Sequence, residues 1–544
     1  MKFGTGRQGF AVLLPGILAV QGILLMIPGG LYVNGHEGDL LHTLEAADRI
    51  AGGQWPHVDF MTPLGLFAFG PIAAMQAAGL PPGQSVLAAY LLVAACLLPG
   101  IWHIGQSRMA PWMRPVFGLW MILLTTALVF GGDQATLSVS MYYNRWGWAI
   151  ATLVVLAVLL PRREGTADSS GDGILIGLGM ASLGLLKMTY FVSLAPAVLV
   201  FFVMNRAWRA LGAAVVAALV AAVLVTLLVG DLWFWGRYLG DLLFVAGSGT
   251  RPKPGLEFAD IVAGPANLPA TAALMAAIVA LRLGGRPKPG LLLLLLAPGF
   301  FFITYQNWGN DPQWLMILLF ALLCLCPGPG QARFRGRDAR PFILSIALIA
   351  GTLTAPSILN IGFSSLRGVF LDRGGYLQAV PGPRFADVFI EAKRSFKPVG
   401  QIDLPPIDTP ELPPGEEDEA AQEGPVRVAG ETLENCEAYS ALVGVLRHVG
   451  NELSGIPEMR GAHLLTADIL NNLWMFSAVA RLDGGAPWYY GGRPGFAQAD
   501  HLLVPLCPVS PKARRVVLSI VEKDGWNLRE IRRTPHYILF RRLR

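Results

Sequence analysis

Charged residues are scarce in this chain of 544 residues. Asp, Glu, Lys and Arg together make up 15 % of it, whereas hydrophobic residues make up 53 % and the mean hydropathy is +0.50. A soluble domain usually carries about 25 % charged residues. The composition therefore excludes an ordinary soluble protein and predicts a membrane protein. The net charge of +5 does not indicate a nucleic-acid partner, because the basic residues fall in short loops between apolar runs.

Cysteine is also rare, with five residues in the chain. Cys96, Cys324 and Cys326 lie in apolar segments, where a thiol packs as a small apolar group. Cys436 and Cys507 lie in the less apolar tail, which we expect on the oxidising side of the membrane. A disulfide between them and two separate thiols both stay open, because the sequence does not show whether they are adjacent.

Several common motifs are missing. The sequence has no Walker loop, no dinucleotide-binding fingerprint after a strand and no array of zinc ligands. These absences argue against ATP-driven transport. They also argue against a nucleotide-sugar donor bound in a soluble fold.

Apolar runs dominate the chain up to residue 362. Runs of about 18–24 residues are long enough to cross a membrane as helices. The segment 11–33 is long for a signal peptide and has no small-residue cleavage site behind it, so we interpret it as the first transmembrane helix. The predicted spans are 10–33, 84–107, 115–132, 146–161, 173–187, 189–204, 210–230, 264–281, 290–305, 313–327 and 341–362.

The basic residues of the loops predict the topology. The apolar run 63–80 is ambiguous, and every later loop changes side if it spans the membrane. If it lies along the interface instead, Arg108, Arg162, Arg286 and most other loop cations fall on one side, as the positive-inside rule requires. We therefore predict a cytoplasmic N-terminus and an outside loop at 34–83. The predicted location is the inner membrane of a bacterium, with a periplasmic C-terminal domain.

The expected fold class is a multi-pass α-helical membrane protein of about eleven transmembrane helices with a C-terminal soluble α/β domain. The transmembrane domain covers 1–362, and a connector covers 363–425. Within the connector, 398–425 is rich in proline and acid and has no aromatic residue, which is typical of an extended linker. The α/β domain, 426–544, combines a predicted helix at 434–452 with strand-like runs at 463–469, 501–507, 515–521 and 536–540.

The middle of the outside loop has the pattern of an amphipathic helix. Glu45, Asp48 and Arg49 fall within the helical pattern at 42–51. Glu45 and Arg49 have the i, i+4 spacing of a surface ion pair. We expect these charges to face water.

Two carboxylates stand apart from this helix. Glu37 and Asp39 lie where the first apolar segment ends, so they can reach a substrate whose lipid tail stays in the membrane. A divalent metal ion held by these carboxylates with His36 and His42 stays an open alternative, although no established ligand spacing appears. No other cofactor is indicated.

An apolar first helix, an outside loop that opens with acidic residues, and the motifs G-x-W-P and D-F-x-x-P-x-G resemble the GT-C glycosyltransferases. The likeness is to the aminoarabinose transferase and protein O-mannosyltransferase group, family 39-like, and covers the architecture of 1–362 and a motif at 35–65. The resemblance implies a polyprenyl-phosphate sugar donor and a catalytic base in the first outside loop. Glu37 and Asp39 occupy the place of the family's Asp-Glu pair, and which of them is the base stays open.

Lys187 is the predicted partner of the donor phosphate. It lies inside LGLLKMTYF, where a charge is costly unless it is paired. Sugar transfer from a lipid phosphate needs a base for the acceptor proton and cations near the departing phosphate. The resembled family often carries a lysine at this place, after a glycine-rich helix. Arg145 and Arg237 are predicted to assist; the alternatives are snorkelling for Lys187 and lipid headgroups for Arg237.

The outside loops offer further substrate contacts. Asp133 corresponds to a second acidic residue that recurs in the resembled superfamily, and Tyr143 follows it in the same loop. Trp146 and Trp148 fit the aromatic belt of a membrane interface better than a binding site. Asp59 is a secondary site candidate that alternatively caps the next helix.

A later outside loop, 305–314, is dense in amides and aromatic residues. Loops that only connect helices seldom need so many hydrogen-bonding groups. Asn307, Asn310 and Asp311 are predicted to recognise sugar, with a helix-capping turn as the alternative.

Three functions are compatible with these features. We favour a membrane glycosyltransferase that moves a sugar to a lipid, glycan or protein acceptor on the periplasmic face, by direct displacement with inversion. A transporter or flippase of lipid-linked glycans would place charges in the middle of helices and use broken helices. A non-catalytic membrane assembly protein would tolerate neutral substitutions in the acidic loop. The expected partners are the donor, the acceptor and membrane lipids, without nucleic acid.

Overall fold

The computed structural model describes residues 6–131, 136–164, 168–250, 258–263, 267–334, 336–395, 425–434 and 441–543. The fold is mostly helical. The helices are α1 Arg7–Met26, α2 Glu37–Ala51, α3 Leu66–Ala77, α4 Pro82–Arg108, α5 Met113–Thr126, α6 Tyr142–Leu159, α7 Ser170–Leu186, α8 Met188–Met204, α9 Trp208–Val229, α10 Phe234–Gly247, α11 Phe258–Ala263, α12 Asn267–Leu283, α13 Pro287–Gln306, α14 Trp314–Leu325, α15 Ala339–Leu353, α16 Ala355–Val369, α17 Leu442–Ser454 and α18 Pro511–Lys523.

The strands are short and join distant parts of the chain. They are β1 Leu31–Val33, β2 Arg333–Phe334, β3 Arg337–Asp338, β4 Tyr376–Gln378, β5 Val388–Glu391, β6 Val426–Val428, β7 Glu431–Leu433, β8 Leu464–Thr466, β9 His501–Pro505, β10 Asn527–Arg533 and β11 Tyr537–Leu543. In one sheet β5 pairs in parallel with β1 and antiparallel with β4, so the connector is tied to the segment directly after α1.

The bundle formed by α1 and α4–α16 has two polar ends. At one end Asp172, near the start of α7, forms an ion pair of 3.0 Å with Arg108, the last residue of α4. We call this the basic end. At the other end Lys187, between α7 and α8, donates to Asn144 at 3.1 Å and to Asn307 at 2.6 Å. We call this the loop end, because the loops that carry the candidate site meet here.

The apolar surface of the bundle identifies an integral membrane protein. Four described helices, α1, α4, α9 and α13, are long and apolar enough to cross a membrane, and α15 with α16 form a fifth candidate bent by 50°. On α9, Leu219 and Leu227 are 59 % and 72 % exposed, which is costly in water and favourable in lipid. Each predicted span overlaps a helix or, for 341–362, the bent pair, although 10–33 also takes in β1 and 115–132 runs past the end of α5. The count of eleven stays a prediction.

Helix α3 lies at the loop end and does not run along the bundle. Its 12 residues reach about 18 Å, which is short of the hydrocarbon core of about 30 Å. Just before it, Gly65 N donates to Leu186 O at 3.1 Å, beside Lys187. Just after it, Gln84 N donates to the Asp387 carboxylate at 2.7 Å, next to β5. Both ends of α3 therefore lie on one side of the bundle, as an interfacial segment requires.

The amphipathic helix of the outside loop is longer than predicted, and its charges do not face water. Glu45, Asp48 and Arg49 are 0 %, 3 % and 0 % exposed, so the prediction of a water-facing surface is wrong. The Glu45–Arg49 pair forms at 2.9 Å, but residues beyond 380 cover it. Arg49 donates to Leu482 O at 3.1 Å, and Asp48 pairs with Arg481 at 2.9 Å and also with Arg384. The spacing of residues within one helix cannot show that a distant segment of the chain packs over it.

The C-terminal region contains a four-stranded sheet in the order β10-β11-β9-β8, with β8 and β9 parallel. The strand predicted at 515–521 is wrong, because this segment belongs to α18. Ser510 caps that helix by accepting from Ala513 N at 3.3 Å, and Pro511 follows at the first position. The buried residues of α18 recur at helical spacing, and the strand β10 was not predicted.

Two predictions for the tail, the disulfide and the linker, concern residues that lie partly outside the described part of the chain. Cys507 is disulfide-bonded, whereas Cys96, Cys324 and Cys326 are free. Cys436 lies outside the described residues, as does nearly all of the predicted linker 398–425.

Replacing Asp48 by Asn should destabilise the protein by about 2 kcal/mol. The change leaves Arg384 and Arg481 without the buried carboxylate that both contact. Thermal unfolding of the purified protein in detergent measures this difference. Asp524→Asn is the matched control, because Asp524 pairs with Arg493 at the exposed surface and should leave the midpoint unchanged. Equal unfolding midpoints for both variants would contradict the stabilising role of the Asp48 ion pairs with Arg384 and Arg481.

Candidate functional site

The two carboxylates at the start of α2 have different partners. Glu37 forms a two-point ion pair with Arg394, in which Nη2 donates to Oε2 at 3.0 Å and Nε donates to Oε1. Arg394 belongs to the one-turn helix Ala392–Ser395 directly after β5. Asp39 accepts a hydrogen bond from the Ser140 hydroxyl. Glu37 is thus neutralised by an arginine, whereas Asp39 has a neutral donor.

The surroundings of Asp39 change its acidity. Burial raises the pKa of this carboxyl above its usual value, and the hydrogen bond from Ser140 opposes the rise. Desolvation disfavours the charged form of an acid, so the ionised Asp39 is a stronger base than a carboxylate in water. A carboxylate with a raised pKa is suited to accept a proton from a hydroxyl.

The segment before α6 links Asp39 to the bundle. Ser140 N donates to Ser138 Oγ at 3.0 Å, and Met141 adopts a left-handed conformation with φ of 56° at the helix start. This turn directs the Ser140 hydroxyl to Asp39, while Ser140 O accepts from Arg145 Nη2 at 3.4 Å. In the first turn of α6, the Asn144 side chain accepts a hydrogen bond from Lys187.

Lys187 lies in the one-residue break between α7 and α8. Its backbone is extended, with φ of −155° and ψ of 110°, so the helical path is interrupted at this residue. Nζ donates to Asn144 Oδ1 and Asn307 Oδ1 and lies 5.5 Å from the ring centroid of Tyr143. Gly65 contacts the preceding backbone, and a Cβ at Gly65 would come within 2.0 Å of Leu185 O.

The 305–314 loop closes this cluster. Asn307 accepts from Lys187, and Asn310 Nδ2 donates to Phe130 O at 3.0 Å. Asp311 accepts from Gln313 Nε2 at 2.7 Å and from the Ser357 hydroxyl at 2.8 Å. These contacts hold the loop against α6 and α16.

The cleft among these side chains is narrow. It measures about 10 Å³, which is about the space of a single water molecule. Arg145, Asn307 and Asp311 line it together with the apolar walls of Phe130 and Trp148. A ligand group bound here must therefore replace existing hydrogen bonds rather than fill an open pocket.

The two tryptophans of α6 are core residues, so the prediction of an interfacial aromatic belt is wrong for them. Trp146 and Trp148 are 1 % and 2 % exposed. Trp146 Nε1 donates to Thr125 O at 3.1 Å, and Trp148 packs edge-on against Tyr190. Neighbouring helices cover α6 on all sides, which the local aromatic pattern could not show.

Three predicted site residues do not join this cluster in the described contacts. Asp133 lies outside the described residues. Arg237 pairs with Asp231 at 3.1 Å, and its side chain is 47 % exposed. Asp59 is exposed and accepts from Trp55 N at 2.7 Å in the preceding turn, and it does not cap α3, whose N-cap residue is Gly65. The roles of these residues in binding stay predictions.

The histidines of the outside loop are held apart by other contacts. His36 Nδ1 lies 3.1 Å from the Ser138 hydroxyl. His42 packs edge-on against Phe69 and Trp488, and burial lowers its pKa to about 4. Among the residues that the structure describes, no three His, Cys, Asp or Glu side chains are placed to share a metal ion.

Some residues of the site were not predicted from the sequence. Ser140 and Asn144 connect Asp39 with Lys187, and Arg394 neutralises Glu37. Asn144 directly precedes Arg145 in the YYNRW run, so its polarity at the start of an apolar helix was an available signal. Nothing in the sequence near Arg394 indicates a partner 357 residues away.

No protein-family model and no curated protein matches this chain. Among solved structures, the chain is similar to ArnT from Cupriavidus metallidurans over 98 % of each chain. The apo crystal structure of ArnT has 13 % sequence identity and a TM-score of 0.41, and the structure bound to undecaprenyl phosphate has 11 % and 0.39. ArnT belongs to the GT-C group that the sequence resembles. At these values, the functional assignment depends on the contacts of the site itself.

Replacing Gly65 by Ala should destabilise the protein by about 1–3 kcal/mol, because the new methyl group would overlap Leu185 O. The backbone just before Lys187 must then shift. Thermal unfolding in detergent provides the measurement. Gly70→Ala is the control, since the nearest atom to its added Cβ is Leu66 Cδ1 at 3.6 Å, an ordinary contact. If the two variants unfold alike, Gly65 does not fix the α7–α8 turn.

Proposed function

We propose that this protein is a GT-C-type glycosyltransferase that moves a sugar from a polyprenyl-phosphate donor to an acceptor hydroxyl. One observation carries the proposal. A partly buried carboxylate, Asp39, and a half-buried ammonium group, Lys187, are connected through Ser140, Arg145 and Asn144. A base and a cation on one side of a membrane bundle are the two groups that this transfer requires.

Asp39 is the proposed base. Both carboxylate oxygens of Glu37 already accept hydrogen bonds from Arg394, so this residue is less suited to take the acceptor proton. Asp39 has a raised pKa and, within the described part of the chain, one hydroxyl donor at Oδ2, so Oδ1 is left to take the acceptor proton. The Glu37–Arg394 pair then has a positioning role, because it fixes the first turn of α2 that carries Asp39.

Lys187 is proposed to hold the donor phosphate, with Arg145 behind it. As Asp39 removes the hydroxyl proton, the acceptor oxygen bonds to the anomeric carbon of the sugar. The bond from that carbon to the phosphate oxygen breaks, and its electron pair leaves with the polyprenyl phosphate. The ammonium group of Lys187 stabilises this added charge. A single in-line displacement of this kind inverts the anomeric configuration.

The cleft beside this cluster has the space of about one water molecule, so a phosphate must bind by exchanging partners with the side chains present. The amide oxygens of Asn144 and Asn307 solvate Lys187 as two acceptors. Phosphate oxygens can take their places at Lys187, and the amide groups of Asn307 and Asn310 can then turn to sugar hydroxyls. The acceptor is a lipid, a glycan or a protein.

The position of Lys187 favours a transferase over a transporter. A transport path needs charged groups near the middle of the membrane. Lys187 lies instead at the turn between two helices, at the loop end, with Gly65 beside it. We propose that this end faces the periplasm of a bacterium, in line with the basic residues at the opposite end.

Asp39→Asn should lower kcat by about 10²–10⁴-fold, the usual contribution of a general base. Glu37→Gln is the comparison and should keep most of the turnover, with a lower unfolding temperature from the weakened Arg394 pair. The assay follows sugar transfer from a synthetic polyprenyl-phosphate glycoside by the purified protein. Full turnover of folded Asp39→Asn would exclude Asp39 as the base.

The pH profile gives a second test of the same base. Asp39 must be ionised, so kcat/KM should rise with pH through a pKa above 3.8, its usual value. Ser140→Ala removes the hydrogen bond that favours the ionised form, and the acid limb should move to higher pH. An unmoved acid limb would contradict the role of Ser140 and Asp39 together.

Lys187→Met should raise the KM for the donor and lower kcat, because the phosphate loses its cation in both bound state and transition state. The expected loss in kcat/KM is on the order of 10²–10³-fold. Lys523→Met is the matched control, since Lys523 is an exposed lysine at the end of α18. Equal kinetics of both variants would contradict the role of Lys187.

A further inference from the structure

A second cavity lies at the basic end, far along the bundle from Lys187. Its volume is about 400 Å³, and it opens between the end of α6, the end of α8 and the start of α13. One part of its lining is cationic and another part is apolar. The cations are Arg108, Arg162, Arg286 and Lys288, and the apolar residues include Val158, Leu159, Phe201, Met204 and Leu292.

Two of the four cations are already satisfied. Arg108 and Arg162 both bind Asp172, at 3.0 Å and 3.1 Å, and His103 binds the same carboxylate at 2.6 Å. Asp172 is fully buried, so this group forms a rigid floor. One carboxylate for two arginines leaves an excess positive charge inside the cavity.

The other two cations stand on the opposite wall. Arg286 has no carboxylate partner within the part of the chain that the structure describes. Lys288 donates to the neutral Asn205 side chain at 3.2 Å. Both flank Pro287 at the first position of the 20-residue helix α13, so the positive end of the helix dipole adds to their field.

We propose that this cavity binds the headgroup of an anionic glycerophospholipid. The phosphate diester would lie between Arg162, Arg286 and Lys288, which offer charge-assisted hydrogen bonds from two sides. The acyl chains would leave the cavity past Met204 and lie along the exposed apolar side chains of α8 and α13, which include Val203 and Leu294. Cationic pockets between helices at a membrane surface are suited to lipids of this charge.

The apolar half of the lining favours a lipid over free phosphate. A soluble anion would use only the cationic wall and would leave the apolar part of the lining, which includes the partly exposed Met204, in contact with water. A lipid covers both parts at once. The proposal is independent of the sugar-transfer chemistry, because none of these residues belongs to the loop end.

The test uses the full-length protein, delipidated in detergent and titrated with phosphatidylglycerol while native mass spectrometry counts bound lipid. Arg286→Gln with Lys288→Gln should weaken retention by about tenfold or more, since each cation near a lipid surface is worth about 1 kcal/mol. The control is Arg209→Gln with Arg337→Gln, which removes two exposed charges outside the cavity and should retain the lipid.

Four outcomes would overturn the proposal. Unchanged retention in the cavity variant would exclude the site, and an equal loss in the control would show general surface attraction. Equal binding of phosphatidylcholine would exclude charge recognition. Displacement of the lipid by millimolar inorganic phosphate would show a site for free anions.

Discussion

The cost of a lysine inside an apolar bundle organises the loop end of this protein. A bare ammonium group is expensive near lipid, so Lys187 must find polar partners or leave the membrane. Its partners, Asn144 and Asn307, come from the start of α6 and the end of α13. Satisfying one cation therefore brings three distant segments to one point. The extended backbone of Lys187 and the missing side chain of Gly65 make that approach sterically possible.

The carboxylates of α2 are bound by arginines from the far end of the sequence. The α2 helix carries Asp39, and arginines from beyond residue 380 bind the carboxylates around it. Arg394 holds Glu37, while Arg384 and Arg481 hold Asp48. These pairs neutralise Glu37 and Asp48, whereas Asp39 accepts from the neutral Ser140 hydroxyl. The C-terminal region thus does more than fold beside the bundle, because its arginines bind two of the carboxylates of α2.

Hydropathy predicted much of this architecture, because a span must be apolar along its whole length and the sequence records that directly. Lys187 and Asn307 were also found from the sequence, since polar groups beside apolar runs are conspicuous. The failures share one cause. Glu45 and Arg49 have surface spacing but lie under Leu482, Trp148 looks interfacial but lies in the core, and the 515–521 run alternates like a strand but is helical. Periodicity describes a segment, and burial depends on what distant residues cover it.

Both ends of the bundle obey the same rule about charge near lipid, with opposite signs. At the basic end a single buried carboxylate, Asp172, balances two arginines, and the cations left over stand at the rim. At the loop end arginines balance Glu37 and Asp48, whereas Asp39 and Lys187 have neutral hydrogen-bond partners. An excess of one sign is stable at an end only where a counter-charge from outside the chain can arrive. The two ends therefore differ in the sign of the charge that their buried pairs balance, and this asymmetry is the kind from which the positive-inside rule predicts orientation.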